Sequence, residues 1–234
     1  MKFQYLTTSE MQALERHAVE KYNVYLEQLM QNAGKAVFDV VMSEILPTIS
    51  GGEIRESRLL TVVGKGNNGG DALVTARLLH EKGIDVYVMP LYPIDKMSPM
   101  AKTEMMKCKK LGIKFVGKID NKYDLIIDGI FGFSLTGNPR LKEAKIIEQI
   151  NYSGIKILSI DVPSGLVAHD GSIGKPTIKA DYTIALGLPK IGFEEHPEFV
   201  GKLFFGNIGI PEQAYRDIGY NPPMLRGKSY VSVN

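Results

Sequence analysis

Residues Val63-Gly64-Lys65-Gly66-Asn67-Asn68-Gly69-Gly70-Asp71 place four glycines, two amides and a carboxylate between an apolar run and an amphipathic one. Leu59-Leu60-Thr61-Val62-Val63 reads as a buried strand, and Ala72 to Leu79 has the spacing of a helix packed on a sheet. A chain turning from strand to helix through such a segment gathers backbone N–H groups at a helix N-terminus. Orphan donors and the helix dipole there both favour an anion. Gly64, Gly66 and Gly69 satisfy the G-x-G-x-x-G dinucleotide pattern. An ordinary dinucleotide dehydrogenase also ends its second strand in an acid that holds a ribose, whereas Val86-Tyr87-Val88-Met89 runs into Pro90-Leu91-Tyr92. That class is disfavoured, and a P-loop is excluded because no Gly-Lys-Ser/Thr closes the turn. The bland alternative is a tight connection whose glycines only permit close packing. Asn67, Asn68 and Asp71 exceed what packing requires.

A length of 234 residues with 44% hydrophobic composition supports one core, so a single α/β domain over 1–234 is expected. Its parts are N-terminal helices over 8–44, an alternating core over 58–211 and a Pro-punctuated tail over 212–234. A formal charge of +2 indicates no nucleic acid, and Lys107, Lys109 and Lys110 read as the solvated face of a helix. The single cysteine, Cys108, excludes an internal disulfide and a cysteine-based zinc site, which suits a reducing cytoplasm. No apolar run approaches the roughly 20 residues that span a bilayer, and Met1-Lys2-Phe3-Gln4 does not begin a secretory signal. A cytoplasmic protein without membrane contact is expected.

Ser9 reads as a helix cap, with a break near Tyr22-Asn23-Val24 and a second helix carrying Leu26, Leu29, Met30, Ala33, Val37 and Val40 as one apolar core stripe. Pro47 and Gly51-Gly52 mark a loop. Strands are expected at 58–63, 84–89, 113–116, 124–128, 155–160, 181–186 and near 202–208, with helices at 70–82, 98–111 and 140–150. This alternation predicts a mainly parallel sheet covered on both faces.

In open α/β sheets, ligands bind beyond the carboxyl ends of the strands. Besides the first loop, three strands end in chemically loaded segments. These are Asp128-Gly129-Ile130-Phe131-Gly132-Phe133-Ser134-Leu135-Thr136-Gly137-Asn138, then Asp161-Val162-Pro163-Ser164-Gly165, then Gly187-Leu188-Pro189-Lys190. Parallel strands would bring Asp71, Asp128, Asp161, Ser164 and Lys190 to one edge. Asn68, Asp128 and Ser164 offer hard oxygens suited to an alkali or alkaline-earth cation, or else Asp128 and Ser164 cross-link loops. Asp161 is the preferred acid/base candidate. For Lys190, phosphate neutralisation, proton transfer and an exposed position with no role all stay open. His17, His80, His169 and His196 show no ligand spacing. No G-x-S-x-G occurs, and Ser164 follows a proline, so a serine hydrolase is not indicated.

Taken together, these residues resemble the YjeF N-terminal domain family, the NAD(P)H-hydrate epimerases. Matching pieces are Leu29-Met30-Gln31-Asn32-Ala33-Gly34, Gly64 to Asp71, Asp128 to Ser134, Asp161 to Gly165 and Gly206-Asn207-Ile208-Gly209-Ile210-Pro211, in the family's order. Three positions depart from the family's usual residues: Glu15 for aspartate, Gln31 for glutamate, and Ala72 for glycine, whose methyl bears on the shape of the pocket. The resemblance implies a Rossmann-like three-layer αβα sandwich that interconverts the R and S hydrates of NADH and NADPH. It further implies that Asn67, Asn68, Gly69, Gly70, Asp71, Gly132, Phe133, Ser134, Leu135, Thr136, Gly137, Asn138 and Asp161 hold the hydrate. A potassium ion on Asn68, Asp128 and Ser164 is implied likewise. At C6 the ring nitrogen can expel hydroxide, giving an iminium that water re-enters from either face, with Asp161 as acid and then base and Lys190 assisting. A separate ATP- or ADP-dependent dehydratase and a homodimer are the expected partners. The rival readings are a non-catalytic scaffold of the same fold, as in RNA-decapping assembly factors, and a nucleotide sensor without turnover.

Overall fold

The computed structural model describes residues 4–222, 225 and 227–233. Helix α1 (Thr8–Tyr22) starts in a capping box, in which Thr7 and Glu10 satisfy each other's backbone N–H groups. Thr7, not Ser9, is therefore the cap. Asn23 ends α1 in the left-handed region (φ 54°), which its short polar side chain tolerates.

Helix α2 (Leu26–Val40) buries Leu29, Met30, Ala33, Val37 and Val40, while Leu26 is 47% exposed. The helical path then continues past Glu44, through a π turn at Val41–Ile45 into α3 (Leu46–Ile49). Pro47 falls in the first turn of α3, where its missing N–H leaves no bond unmade, so the loop begins only at Ser50.

The remaining elements are β1 (Arg58–Val63), α4 (Asn67–Glu81), β2 (Asp85–Pro90), α5 (Pro99–Lys110), β3 (Lys114–Phe115), β4 (Leu125–Gly129) and α6 (Leu141–Tyr152). They continue with β5 (Lys156–Ile160), β6 (Tyr182–Leu186), α7 (Gly192–Glu195), α8 (Pro197–Val200), β7 (Lys202–Gly206), α9 (Glu212–Asp217) and β8 (Tyr230–Ser232). One eight-stranded sheet has the order β3-β2-β1-β4-β5-β6-β7-β8. All neighbours are parallel except β7 and β8.

Strand β8 lies in the segment read as a tail, which thereby closes one sheet edge. Of that segment, residues 223, 224, 226 and 234 lie outside the described set, as do Met1, Lys2 and Phe3 at the other end.

Period-two alternation sorts the buried strand residues between two layers. Leu59, Val63, Leu125 and Ile127 join the core beneath α2, α4 and α5. Leu60, Val62 and Ile126 pack with Ile147 and Ile150 of α6 on the opposite face. The result is the expected αβα sandwich. From β1 the chain proceeds outward to β2 and β3, then crosses back to pair β4 against β1. The crevice between the carboxyl ends of β1 and β4 is therefore the topological switch point.

Candidate functional site

The glycine-rich segment is shorter as a loop than its composition suggests. Helix α4 begins at Asn67 rather than residue 70, with Gly66 as its N-cap and no side chain capping it. Its first N–H groups are left without intrahelical partners. Close packing accounts for two glycines of the pattern: a Cβ on Gly64 would lie 2.0 Å from the Ile130 carbonyl oxygen, and one on Gly69 would lie 2.3 Å from the Gly64 carbonyl oxygen. Gly70 faces α2, where a Cβ would meet Met30. Gly69 and Gly70 are thus packing residues rather than cavity lining. Ala72 is fully buried and its Cβ points at Gly129 under β4, so its methyl does not shape the cavity.

A cavity of about 480 Å³ opens at the switch point, within the range of ligand sites. Asn67, Asn68, Asp71 and Asp161 line it, together with Gly132, Phe133, Ser134, Leu135, Thr136 and Asn138. Gly137 does not. A Cβ on Gly132 would lie 3.0 Å from Asp161 Oδ2 and 3.4 Å from Asn68 Cβ, so the two side chains meet across that glycine.

Asp161 follows β5 in the left-handed region (φ 66°), unusual for a residue with a side chain. The Val162 N–H closes a three-residue turn onto the Ile160 carbonyl at 2.8 Å around it, and the Asp161 N–H donates to Ile184 at 2.8 Å. Its carboxylate accepts from the Phe133 N–H at 3.0 Å and from Lys190 Nζ at 2.5 Å. Lys190 is fully buried and also donates to the Leu186 carbonyl at 2.9 Å. Leu6 clamps the lysine's segment through backbone bonds to Pro189 (2.8 Å) and Ile191 (3.1 Å). The exposed reading of Lys190 is overturned. Enclosed behind Asp161 and not lining the cavity, it cannot meet a phosphate directly either.

Asp128 is one layer deeper and fully buried. It accepts from the Ile130 N–H (3.1 Å), the Ser159 hydroxyl (2.9 Å), and the Ser164 N–H (3.0 Å) and hydroxyl (2.7 Å). Burial raises its pKa, and these bonds oppose the rise. The Phe131 N–H donates to Ser164 Oγ at 2.9 Å, and Asn68 Nδ2 donates to the Phe131 carbonyl at 2.8 Å. Asn68 Oδ1 is buried without a partner. No cluster of three or more His, Cys, Asp or Glu side chains suited to a metal occurs among the described residues.

Several lining residues escaped the sequence reading. Glu15 of α1 enters the cavity, though its only sequence signal was as a departure from the family's aspartate. Burial, then the Asp161 charge, push Glu15 up to about 7, against the pull of Lys190. Asp71 is likewise raised well above the usual carboxylate range by burial and by Asp161 and Glu15. The stripe on α2 is more than core, since Leu26, Leu29, Met30 and Ala33 also line the cavity. Beyond the end of β2, Tyr92 bonds Glu143, an acid delivered from α6 with Oε2 unpartnered. Both line the cavity, so an acid does stand by the second strand's end, brought from 51 residues away in sequence.

A Rossmann-like αβα sandwich with an uncapped helix N-terminus and a buried Asp161–Lys190 ion pair at its switch point defines the class: a doubly wound α/β protein with a cavity at its sheet edge. The sequence profile described as YjeF-related protein N-terminus matches residues 26–192, and the chain belongs to that family. It is 33% identical over 217 residues to the NAD(P)H-hydrate epimerase of Dictyostelium discoideum, covering 90% of this chain and 87% of that one. Identity to the bifunctional NAD(P)H-hydrate repair enzyme of Thermofilum pendens is 35% over 222 residues, 89% of this chain. Against such bifunctional relatives the chain spans only about two fifths of their length (41% for this one). The crystal structure of yeast ynu0 superposes with a TM-score of 0.85 at 22% identity, covering 98% of this chain and 100% of that one.

Proposed function

We propose that the chain epimerises the hydrates of NADH and NADPH at C6 of the nicotinamide ring. The observation that carries this reading is the convergence, at one switch-point cavity, of the free N–H groups of α4 with the Asp161–Lys190 pair. The helix N-terminus suits the pyrophosphate. In this reading Asp161, which lines the cavity, is a proton carrier for the exchange of hydroxyl and water. Lys190, at 2.5 Å, orients that carboxylate. The hydride stays in place, so no redox partner is required.

Potassium belongs to the same reading. Among the described residues, Asp128 is a buried carboxylate with no cationic side chain bonded to it, and Asn68 Oδ1 is a buried acceptor lacking a donor. Asn68, Asp128 and Ser164 offer hard oxygens carrying one negative charge, which suits a monovalent ion. When bound, the ion would offset the Asp128 charge and brace the loop after β4.

A dehydratase that acts on the product from a separate chain is part of the same proposal. Pairing of two copies through the N-terminal helices, where Tyr25 and Leu26 stand exposed, completes the proposal. Cytoplasmic residence accords with a single, buried cysteine; no helix among the described residues is long and apolar enough to cross a membrane. Incubating the protein with the R hydrate and separating the epimers chromatographically tests the activity. Equilibration faster than the spontaneous rate is expected. Tight nucleotide binding without exchange would instead make the chain a sensor.

A further inference from the structure

Epimerisation at one carbon sets a demand that Asp161 alone leaves unmet. Hydroxide must leave one face of the ring, and water must arrive at the other. Each event needs a proton carrier within hydrogen-bond reach. Asp161 cannot swing between faces: one oxygen is tied to Lys190, the other to the Phe133 N–H, and its backbone is held in the left-handed turn. A second carrier has to come from another wall of the cavity.

The lining offers three further carboxyl groups: Glu15, Asp71 and Glu143. Glu143 is engaged by Tyr92, and its remaining oxygen is closed off from solvent. Asp71, in the N-terminal part of α4, lies on the same sheet edge as Asp161, and burial and its two acidic neighbours hold its pKa well above the usual carboxylate range. Glu15 differs from both. It comes from α1, outside the sheet edge that carries Asp161, and accepts no hydrogen bond among the described residues. The groups facing it are Asp71 of α4, Asp161 after β5, Lys190 after β6 and the buried Tyr215 hydroxyl of α9. In that company Glu15 titrates at about 7, where one group can both give and take a proton.

We propose that Glu15 is the second proton carrier of the epimerisation, serving the ring face opposite Asp161; the inference rests on the activity proposed above. In one direction the N1 lone pair forms the N1–C6 π bond as the C6–O bond breaks, and the Glu15 carboxyl protonates the departing hydroxide to water. A water on the opposite face then forms the new C6–O bond. The π pair returns to N1, and the water's proton passes to Asp161. The net change is one proton moved from Glu15 to Asp161, which is the starting state for the reverse reaction. Return of that proton through the emptied, solvent-filled cavity resets the forward one.

The test compares wild type, Glu15→Gln and Glu15→Asp in the epimer assay across pH 5 to 9. For Glu15→Gln, kcat should fall at least about 100-fold, with KM for the hydrate within about twofold. The limb of the kcat profile that lies near neutrality in wild type should disappear. Glu15→Asp, a shortened acid, should recover to within about tenfold of wild type with that limb displaced. An unchanged kcat and pH profile in Glu15→Gln overturns the assignment while leaving the epimerase reading intact. Should Glu15→Gln fail to fold, a Glu15→Asp profile superimposable on wild type overturns it. Wild-type protein that never exceeds spontaneous exchange removes the activity, and this inference with it.

Discussion

Asp128 and Asp71 are buried carboxyls on neighbouring elements at one sheet edge, yet their surroundings are opposite. Asp128 sits in a closed net of two hydroxyl and two backbone donors that ties β4, β5 and the loop after β5 together. The Asp71 side chain has no hydrogen-bond partner among the described residues and shares a cavity with three further acids, of which Glu15 and Asp161 act on its charge. Satisfied donors make a carboxyl into a brace. Crowded acids with one lysine among them make a reservoir of protons. The same contrast separates Lys190, enclosed and committed to Asp161, from Lys65, exposed at the cavity rim.

The sharpest way to break this division is Asp161→Asn, which keeps the left-handed turn because asparagine tolerates it. Its kcat should drop about 1000-fold with nucleotide affinity retained, read by epimer chromatography and by ligand titration. An Asn variant turning over at the parent rate would remove Asp161 from the chemistry.

Lys190→Met should cost about 3 kcal/mol in denaturant unfolding, because it strands a buried carboxylate without its partner. Asp128→Asn should cost about 2 kcal/mol and flatten the response of Tm to potassium, since an amide presents donors to donors. Asp71→Asn should not destabilise the fold and should raise stability at neutral pH, there being no bonded partner to lose and no carboxyl left to bury beside two other acids. Equal losses at positions 71 and 128 would erase the distinction between brace and reservoir.

The smallest contrast is in pH. Glu15 holds its proton in the folded state up to about 7, whereas an unfolded glutamate loses it near 4.5. A raised acid contributes most below the unfolded value, and that contribution is lost as pH rises through 7. Wild type should therefore lose about 1–2 kcal/mol relative to Glu15→Gln between pH 6 and 8, measured by urea titration.

Much of this was legible in the chain. Alternating apolar runs foretold the parallel sheet, because strands buried on both faces read as near-continuous hydrophobic segments. The polar loops at strand ends foretold the edge where Asp128 and Asp161 lie, since parallel strands leave no other place for them. Features made by distant partners escaped. β8 exists only because β7 offers it an edge, and α3 tolerates Pro47 only because a π turn precedes it. Of the glycine pattern, Gly64 and Gly69 meet the need for close backbone approach, and the start of α4 that follows has no side-chain cap.

Local order along the chain thus determined the elements, the sheet and the edge that holds the cavity, because periodicity and turn chemistry act over a few residues. Which acids stand together was decided only in three dimensions. Glu15 and Asp161 are 146 positions apart in sequence, and the clamp of Leu6 on Lys190 spans 184. Burial and opposing charge act through space, so no local pattern could have revealed that Lys190 is enclosed or that Glu15 titrates near neutrality.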